Sequence, residues 1–322
     1  GLGNVYKRQL LYSILLSLCA RLDTTMKDKN LLSIADLTSQ EILGLIERSA
    51  GFKQKPVTTT LEGKSVALLF EKPSLRTKMS FDVAVHQLGG HPVYLSRDEV
   101  GLGVRAPTAD IARVMSRYVS ALVVRTFAQD TLETLAHYAS VPVINALSDE
   151  EHPCQALADL LTIYEKKGSF EDLKIAYIGD GNNVAASLAL AAVSVGAHFA
   201  IASPPGYHIS ASVMEKVLTR AHDNGSNITL SENPREVATN ADVIYTDVWL
   251  SMGQEEETER MSMAVGSYRM KGVREGQANT GGVFIDTIPA HPGEEIDQGL
   301  IGHAKAVVCG QAESRRDIQR AI

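Results

Sequence analysis

The sequence predicts an α/β protein built from two doubly wound parallel-sheet lobes, and three observations carry that prediction. Short apolar runs of strand length alternate along the chain with segments of helical spacing. The connections between them are short, as in a parallel sheet covered by helices on both faces. The alternation occurs in two sets of similar size that meet near residue 150.

Residues 1–25 stand apart from both sets. Lys7-Arg8 ahead of Leu10 to Ala20 resembles a secretory leader, but the apolar stretch is too short to span a bilayer. Leu18-Cys19-Ala20-Arg21 lacks a small-x-small cleavage pattern, and Met26 would make a normal start. Residues 1–25 are therefore expected to be an upstream or non-native extension, with the first lobe spanning 26–150.

In that lobe, Thr38-Ser39-Gln40-Glu41 is a capping box opening a helix over 39–50. Ser65 to Phe70 reads as a buried strand. Phe81, Val83, Ala84, Val85 and Leu88 follow at roughly helical spacing until Gly89-Gly90 stop the pattern. Pro92 to Leu95 is a strand and 97–108, rich in Gly, Arg and Pro, a loop. Asp110 to Tyr118 is a helix, Ala121 to Arg125 a strand, Thr131 to Tyr138 a helix and Val141 to Asn145 a strand. In the second lobe, 151–304, Pro153 to Glu165 is a helix and Leu173 to Ile178 a strand. A polar turn, Gly179 to Asn183, leads into a helix over Val184 to Val195. His198 to Ala202 is a strand and Ala211 to His222 a helix, and the strands Ile228–Leu230, Val243–Tyr245 and Val283–Ile285 complete the set. The last helix is regular from about Glu313 and stops at Ile322 in mid-pattern, as a clipped chain would.

The chain has 322 residues, 44% hydrophobic and 21% charged, which describes a globular protein with room for two cores. A net charge of −7 argues against nucleic acid as a partner, and no apolar stretch calls for a membrane. Cys19, Cys154 and Cys309 have neither disulfide-framework nor zinc spacing, so a reducing, cytoplasmic setting is expected.

In a doubly wound sheet, ligands sit beyond the carboxyl ends of the strands. Here those ends are Glu71 to Thr77, Arg125-Thr126, Ser148 to Gln155, Asp180 to Asn183, Asp247 to Met252 and Asp286 to Pro289, and each carries polar or charged residues. Ser74, Arg76 and Thr77 stand where a strand turns into a helix, and a helix N-terminus with added hydroxyls and a guanidinium suits phosphate. The same Ser-x-x-Thr spacing also makes an ordinary helix cap. His152 precedes a helix whose first turn holds Pro153, and Gln155 three residues on can face the same ligand. Cys154 reads as a packed thiol, with no activating base near it in sequence. Gly179-x-Gly181 suggests a nicotinamide-binding turn, but Val184 stands where a third glycine belongs.

Ser74-Leu75-Arg76-Thr77 resembles the carbamoyl-phosphate loop of the transcarbamoylases, and His152-Pro153-Cys154-Gln155 resembles their second such motif. Asp247-Val248-Trp249-Leu250-Ser251-Met252-Gly253 is similar to the ornithine loop of the ornithine-type members, and the resemblance covers about residues 29–322. It implies attack of the ornithine δ-amine on the carbamoyl carbon, giving citrulline and phosphate. On this resemblance Ser74, Leu75, Arg76, Thr77, Arg125, His152, Pro153, Cys154, Gln155, Thr287, Ile288 and Arg315 hold carbamoyl phosphate. Arg125, His152 and Thr77 serve catalysis, and Asn183, Asp247, Ser251 and Met252 hold L-ornithine. The resemblance further implies a homotrimer, no metal or organic cofactor, and a first lobe completed by the terminal helix within 305–322. Four features depart from the family pattern: Asp286-Thr287-Ile288 in place of His-Cys-Leu, Ala106 for Glu, Gly101 for Gln, and Leu75 for a hydroxyl residue. They leave open a carbamoyltransferase for another amine, or a paralogue that binds carbamoyl phosphate and turns over little.

Overall fold

The computed structural model describes residues 29–53, 57–247, 281–286 and 307–322. Two all-parallel sheets form its frame. The first has the order β2-β1-β3-β4, with β1 Ser65–Phe70, β2 His91–Ser96, β3 Ala121–Arg125 and β4 Val143–Leu147. The second has the order β7-β6-β5-β8-β9, with β5 Lys174–Ile178, β6 His198–Ala202, β7 Ile228–Ser231, β8 Val243–Thr246 and β9 Val283–Asp286. β1 is apolar from Val66 to Phe70, as suits a strand with both faces covered. Val66, Leu68 and Phe70 pack with Phe81 and Val85 on one face, while Ala67 and Leu69 pack with Ala112, Leu132 and Leu135 on the other. That division is the two-residue period of a strand.

Around the first sheet run α1 Ser39–Phe52, α2 Leu75–Gln87, α3 Arg97–Val100, α4 Thr108–Met115 and α5 Gln129–Tyr138. Around the second run α6 Pro153–Lys167, α7 Asn183–Ser194, α8 Ala211–Asn224 and α9 Pro234–Ala238. The terminal α10, Val308–Ala321, packs against α1, α2 and α6. α7 is buried all round, which its Ala-rich, uncharged sequence permits. One hydrophobic core runs from Leu31, Ile34, Ile42 and Ile46 through Leu157 and Leu161 of α6 to Leu188 of α7 and Tyr245 of β8. The lobes therefore share a core, and each large aliphatic side chain in it contributes about 1.5–3 kcal/mol on burial.

Several boundaries differ from the sequence expectation. The segment 97–108, expected as a loop, opens with one helical turn, α3, closed by a left-handed Gly101 at φ 57°. A Cβ there would lie 2.7 Å from Cγ of Arg105, so a glutamine at this position would be strained. β4 starts two residues late because Pro142, with no amide to donate, precedes it; its carbonyl still accepts from Leu122 N at 2.9 Å. α4 begins at Thr108, just after Pro107, and ends at Met115. α10 begins at Val308 and not near Glu313, since Gly310 hides the helical pattern. The short α9, capped by the Asn233 side chain, and a 3-10 turn at Ile34–Asp36 carry too few residues for a periodic signal. Among the described residues, no helix is long and apolar enough to cross a membrane.

Candidate active site

Parallel register brings the strand ends of the first sheet to one edge. Phe70 of β1 stands beside Arg125 of β3, and Arg125 beside Leu147 of β4. The turn after Phe70, the Arg125 side chain and the Ser148–His152 turn are therefore neighbours. Ser74 caps α2, its hydroxyl accepting from Thr77 N at 3.4 Å. Thr77 is buried, and its Oγ1 accepts from Nη2 of Arg315 at 2.7 Å. That contact spans the chain: α10 lies against α2 and α6 and so delivers Arg315 to the first turn of α2.

Arg76, Arg125 and Arg315 lie in one another's electrostatic field. Burial, then Arg315 and Arg76, push the Arg125 guanidinium down to about 10. Burial leads for Arg315 as well, which also stands at about 10. Burial lowers Arg76 too, against the pull of the Asp247 carboxylate. All three remain cationic at neutral pH, and among the described residues none forms a salt bridge. Nε of Arg125, Nε of Arg315 and Nδ1 of His152 are buried without a hydrogen-bond partner among the described residues. A buried unpaired polar group costs about 1–3 kcal/mol, so the fold holds this corner ready for an anionic, hydrogen-bonding guest.

His152 is the N-cap residue of α6, with Pro153 in the first turn. Its backbone N–H donates to Ser187 Oγ at 2.8 Å, and Ser187 Oγ donates to Glu151 Oε2 at 3.1 Å. The Glu151 carboxyl also accepts from Ser33 Oγ and from Ile34 N, which anchors the turn to the N-terminal segment. Burial pushes the Glu151 carboxyl up, and these hydrogen bonds oppose it. Burial, followed by Arg315 and Arg125, holds the His152 imidazole well below its usual value. It is neutral at pH 7, and can offer one N–H donor.

Cys154 is fully buried, its Sγ 3.3 Å from the Asn145 carbonyl, and burial pushes the thiol up to about 12. It is a packed thiol with no thiolate character. Gln155 donates to Asp159 Oδ1 at 3.0 Å. Leu75 turns its side chain to solvent, 76% exposed, so only its backbone can face the corner.

On the second sheet, register sets Tyr177 beside Tyr245, and the two rings stack with centroids 5.5 Å apart. This brings the turn after β5 next to Asp247. Asn182 caps α7 through its Oδ1 and donates from Nδ2 to Asp247 Oδ2 at 3.1 Å. Asn183 donates to the Ser148 carbonyl at 2.6 Å, bridging the two strand-end clusters. The glycine turn that resembled a dinucleotide site closes on its own chain. Gly181 N donates to Tyr207 O at 2.8 Å, and a Cβ at Gly181 would fall 2.2 Å from Ile209 N. The amide a pyrophosphate would need is thus occupied. Ser251, Met252, Thr287 and Ile288 lie outside the described residues, and so does the side chain of Asp286.

Sequence reasoning placed Glu151 and Asn182 only within the polar strand-end segments and missed the supporting residues Asp159, Ser187 and Tyr245. Asp159 alone had a local signal, the helical i, i+4 spacing from Gln155.

Fold and site together define a two-lobed α/β enzyme with an arginine-rich anion corner at one set of strand ends. The chain belongs to the aspartate/ornithine carbamoyltransferase family: residues 29–165 match its carbamoyl-P binding domain and residues 171–322 its Asp/Orn binding domain. The chain is 44% identical to an ornithine carbamoyltransferase of Anoxybacillus flavithermus, over 92% of this chain and 96% of that protein. The solved structure of an ornithine carbamoyltransferase from Pyrococcus furiosus superposes with a TM-score of 0.89 at 42% identity, covering 92% of this chain and 96% of that one. The enzyme from Gloeobacter violaceus gives 0.82 at 38% identity, covering 91% and 96%.

Proposed function

We propose that this chain transfers the carbamoyl group of carbamoyl phosphate to the δ-amine of L-ornithine, giving L-citrulline and phosphate. The observation that carries the reading is the trio Arg76, Arg125 and Arg315, uncompensated by salt bridges among the described residues, beside a neutral buried His152. Ser74, Arg76, Thr77 and the α2 N-terminus take the phosphate, with Leu75 contributing backbone only. Arg125, His152 and Thr77 face the carbonyl oxygen and stabilise the negative charge that develops on it as the amine attacks. Pro153 and Cys154 shape the α6 turn, and Arg315 braces Thr77 while adding charge. Asn183 and Asp247, with Ser251 and Met252, hold the amino-acid end of ornithine.

The attacking amine has a free pKa of roughly 10.4, as for lysine, and must lose a proton. The neutral His152 imidazole in the corner is a poor proton acceptor, because burial and two arginines disfavour its cation, and the departing phosphate can take that proton itself. No metal or organic cofactor enters the reaction. Residues 26–150 with the terminal helix form the carbamoyl-phosphate lobe and 151–304 the ornithine lobe, in a homotrimer, as the sequence resemblance supports; the cysteine usage supports a cytoplasmic setting.

Citrulline formation by the purified chain, beside Arg76→Ala, tests the reading. Loss of one such charged donor should cost about 10²–10³ in rate. An unaffected Arg76→Ala, or a clear preference for putrescine or aspartate in an amine panel, would refute it.

A further inference from the structure

We infer that Asp159 is a positioning residue that locks the side-chain amide of Gln155, so that its carbonyl oxygen faces the carbamoyl –NH2 of the bound substrate. The inference rests on the reaction proposed above and adds a specificity device to it.

An amide side chain has no preference of its own between its two flipped states, since N and O exchange places by rotation about one bond. Asp159 removes that freedom. It lies one helical turn beyond Gln155 on α6 and is fully buried. Its Oδ1 accepts from Gln155 Nε2 at 3.0 Å and from Gln311 Nε2 of α10 at 2.7 Å. Its Oδ2 accepts from the Tyr245 hydroxyl of β8 at 2.8 Å. Donors from three separate elements hold the carboxylate in one plane. Reversing the Gln155 amide would set its oxygen against Oδ1 in a buried place and lose a hydrogen bond to a charged acceptor. Nε2 is thus committed to Asp159, and Oε1 is the atom left for a ligand.

An amide oxygen accepts and cannot donate. Of the groups on carbamoyl phosphate, only the –NH2 is a donor; the carbonyl and phosphate oxygens need Arg125, His152 and the α2 cradle. The locked amide therefore reads the nitrogen of the carbamoyl group. Inorganic phosphate has no such nitrogen and should be indifferent to Asp159. Burial pushes the Asp159 carboxyl up to about 7 against the pull of its three donors. Near pH 8 it is charged and the lock is complete.

The test uses the full chain near pH 8 and reads the KM for carbamoyl phosphate, kcat, and the inhibition constant of inorganic phosphate. Asp159→Asn offers Gln155 a donor as readily as an acceptor. It should raise the KM for carbamoyl phosphate about ten- to hundredfold, the loss of a charged hydrogen bond, and leave phosphate inhibition within about twofold. Tyr245→Phe removes a different donor to the same carboxylate; it should lower the thermal midpoint and hold that KM within about threefold. Gln155→Ala, which keeps the other two donors to Asp159, should give the same split between carbamoyl phosphate and phosphate. A parallel loss of both ligands in Gln155→Ala overturns the inference whether or not Asp159→Asn folds. An unchanged KM in Asp159→Asn, or an equal rise in Tyr245→Phe, overturns it while the wild type still makes citrulline. A wild type that binds phosphate and makes no citrulline overturns the proposed reaction together with this inference.

Discussion

Replacing His152 by asparagine should remove a measurable part of the pH dependence of folding. In the unfolded chain the imidazole binds protons with its ordinary midpoint near 6.5, while in the fold burial, Arg315 and Arg125 hold it well below that. Between the two midpoints only the unfolded chain carries the extra proton, so stability falls as pH drops through the unfolded value. Acidification from about pH 7 to about pH 5.5, through the unfolded midpoint, should therefore cost stability on the order of 1 kcal/mol. Urea denaturation of wild type and His152→Asn at both pH values isolates this amount, because every other titrating group is common to the two proteins. The variant should lose on the order of 1 kcal/mol less than the wild type on acidification. Equal losses would mean that the imidazole titrates alike in both states, and the neutral N–H donor assigned to it could not stand.

Cys154, with its thiol pushed up to about 12, should resist iodoacetamide at pH 8 in the native protein and react only on unfolding, as peptide mass mapping would read. Inorganic phosphate at about 100 times its Kd should add about 2.7 kcal/mol to stability, and Arg76→Ala should abolish most of that gain in a thermal-shift titration. Gly181→Ala should destabilise the chain by about 1–3 kcal/mol through overpacking. Its Cβ would meet the His208–Ile209 backbone, and the displaced turn should raise the KM for ornithine more than that for carbamoyl phosphate.

What could be read from the sequence was what local physics decides. The β1 strand and the Ser74 cap of α2 show in consecutive residues, and Pro153 marks the start of α6 without any tertiary information. The corner itself is not local. Arg315 meets Thr77 across 238 positions, and only the family resemblance put the two in one site. The Glu151 and Asp159 networks were illegible because their partners, Ser33 and Ser187 for one and Gln311 and Tyr245 for the other, come from distant elements. A buried carboxylate surrounded by neutral donors leaves no charge pattern along the chain. In the sequence Gly101 stands as a missing polar contact, whereas its left-handed backbone at the end of α3 calls for the residue it has.

The continuous core that joins α1, α6 and α7 also limits how the two lobes can be handled. Neither sheet carries a complete set of covering helices by itself, since α6 and α7 serve as wall for one lobe and as floor for the other. A fragment cut near residue 150 would leave Leu157, Leu161 and Leu188 facing water on one side and Ile42 and Ile46 on the other. Melting is therefore a property of the whole chain, and the two substrate-gripping surfaces appear and vanish together.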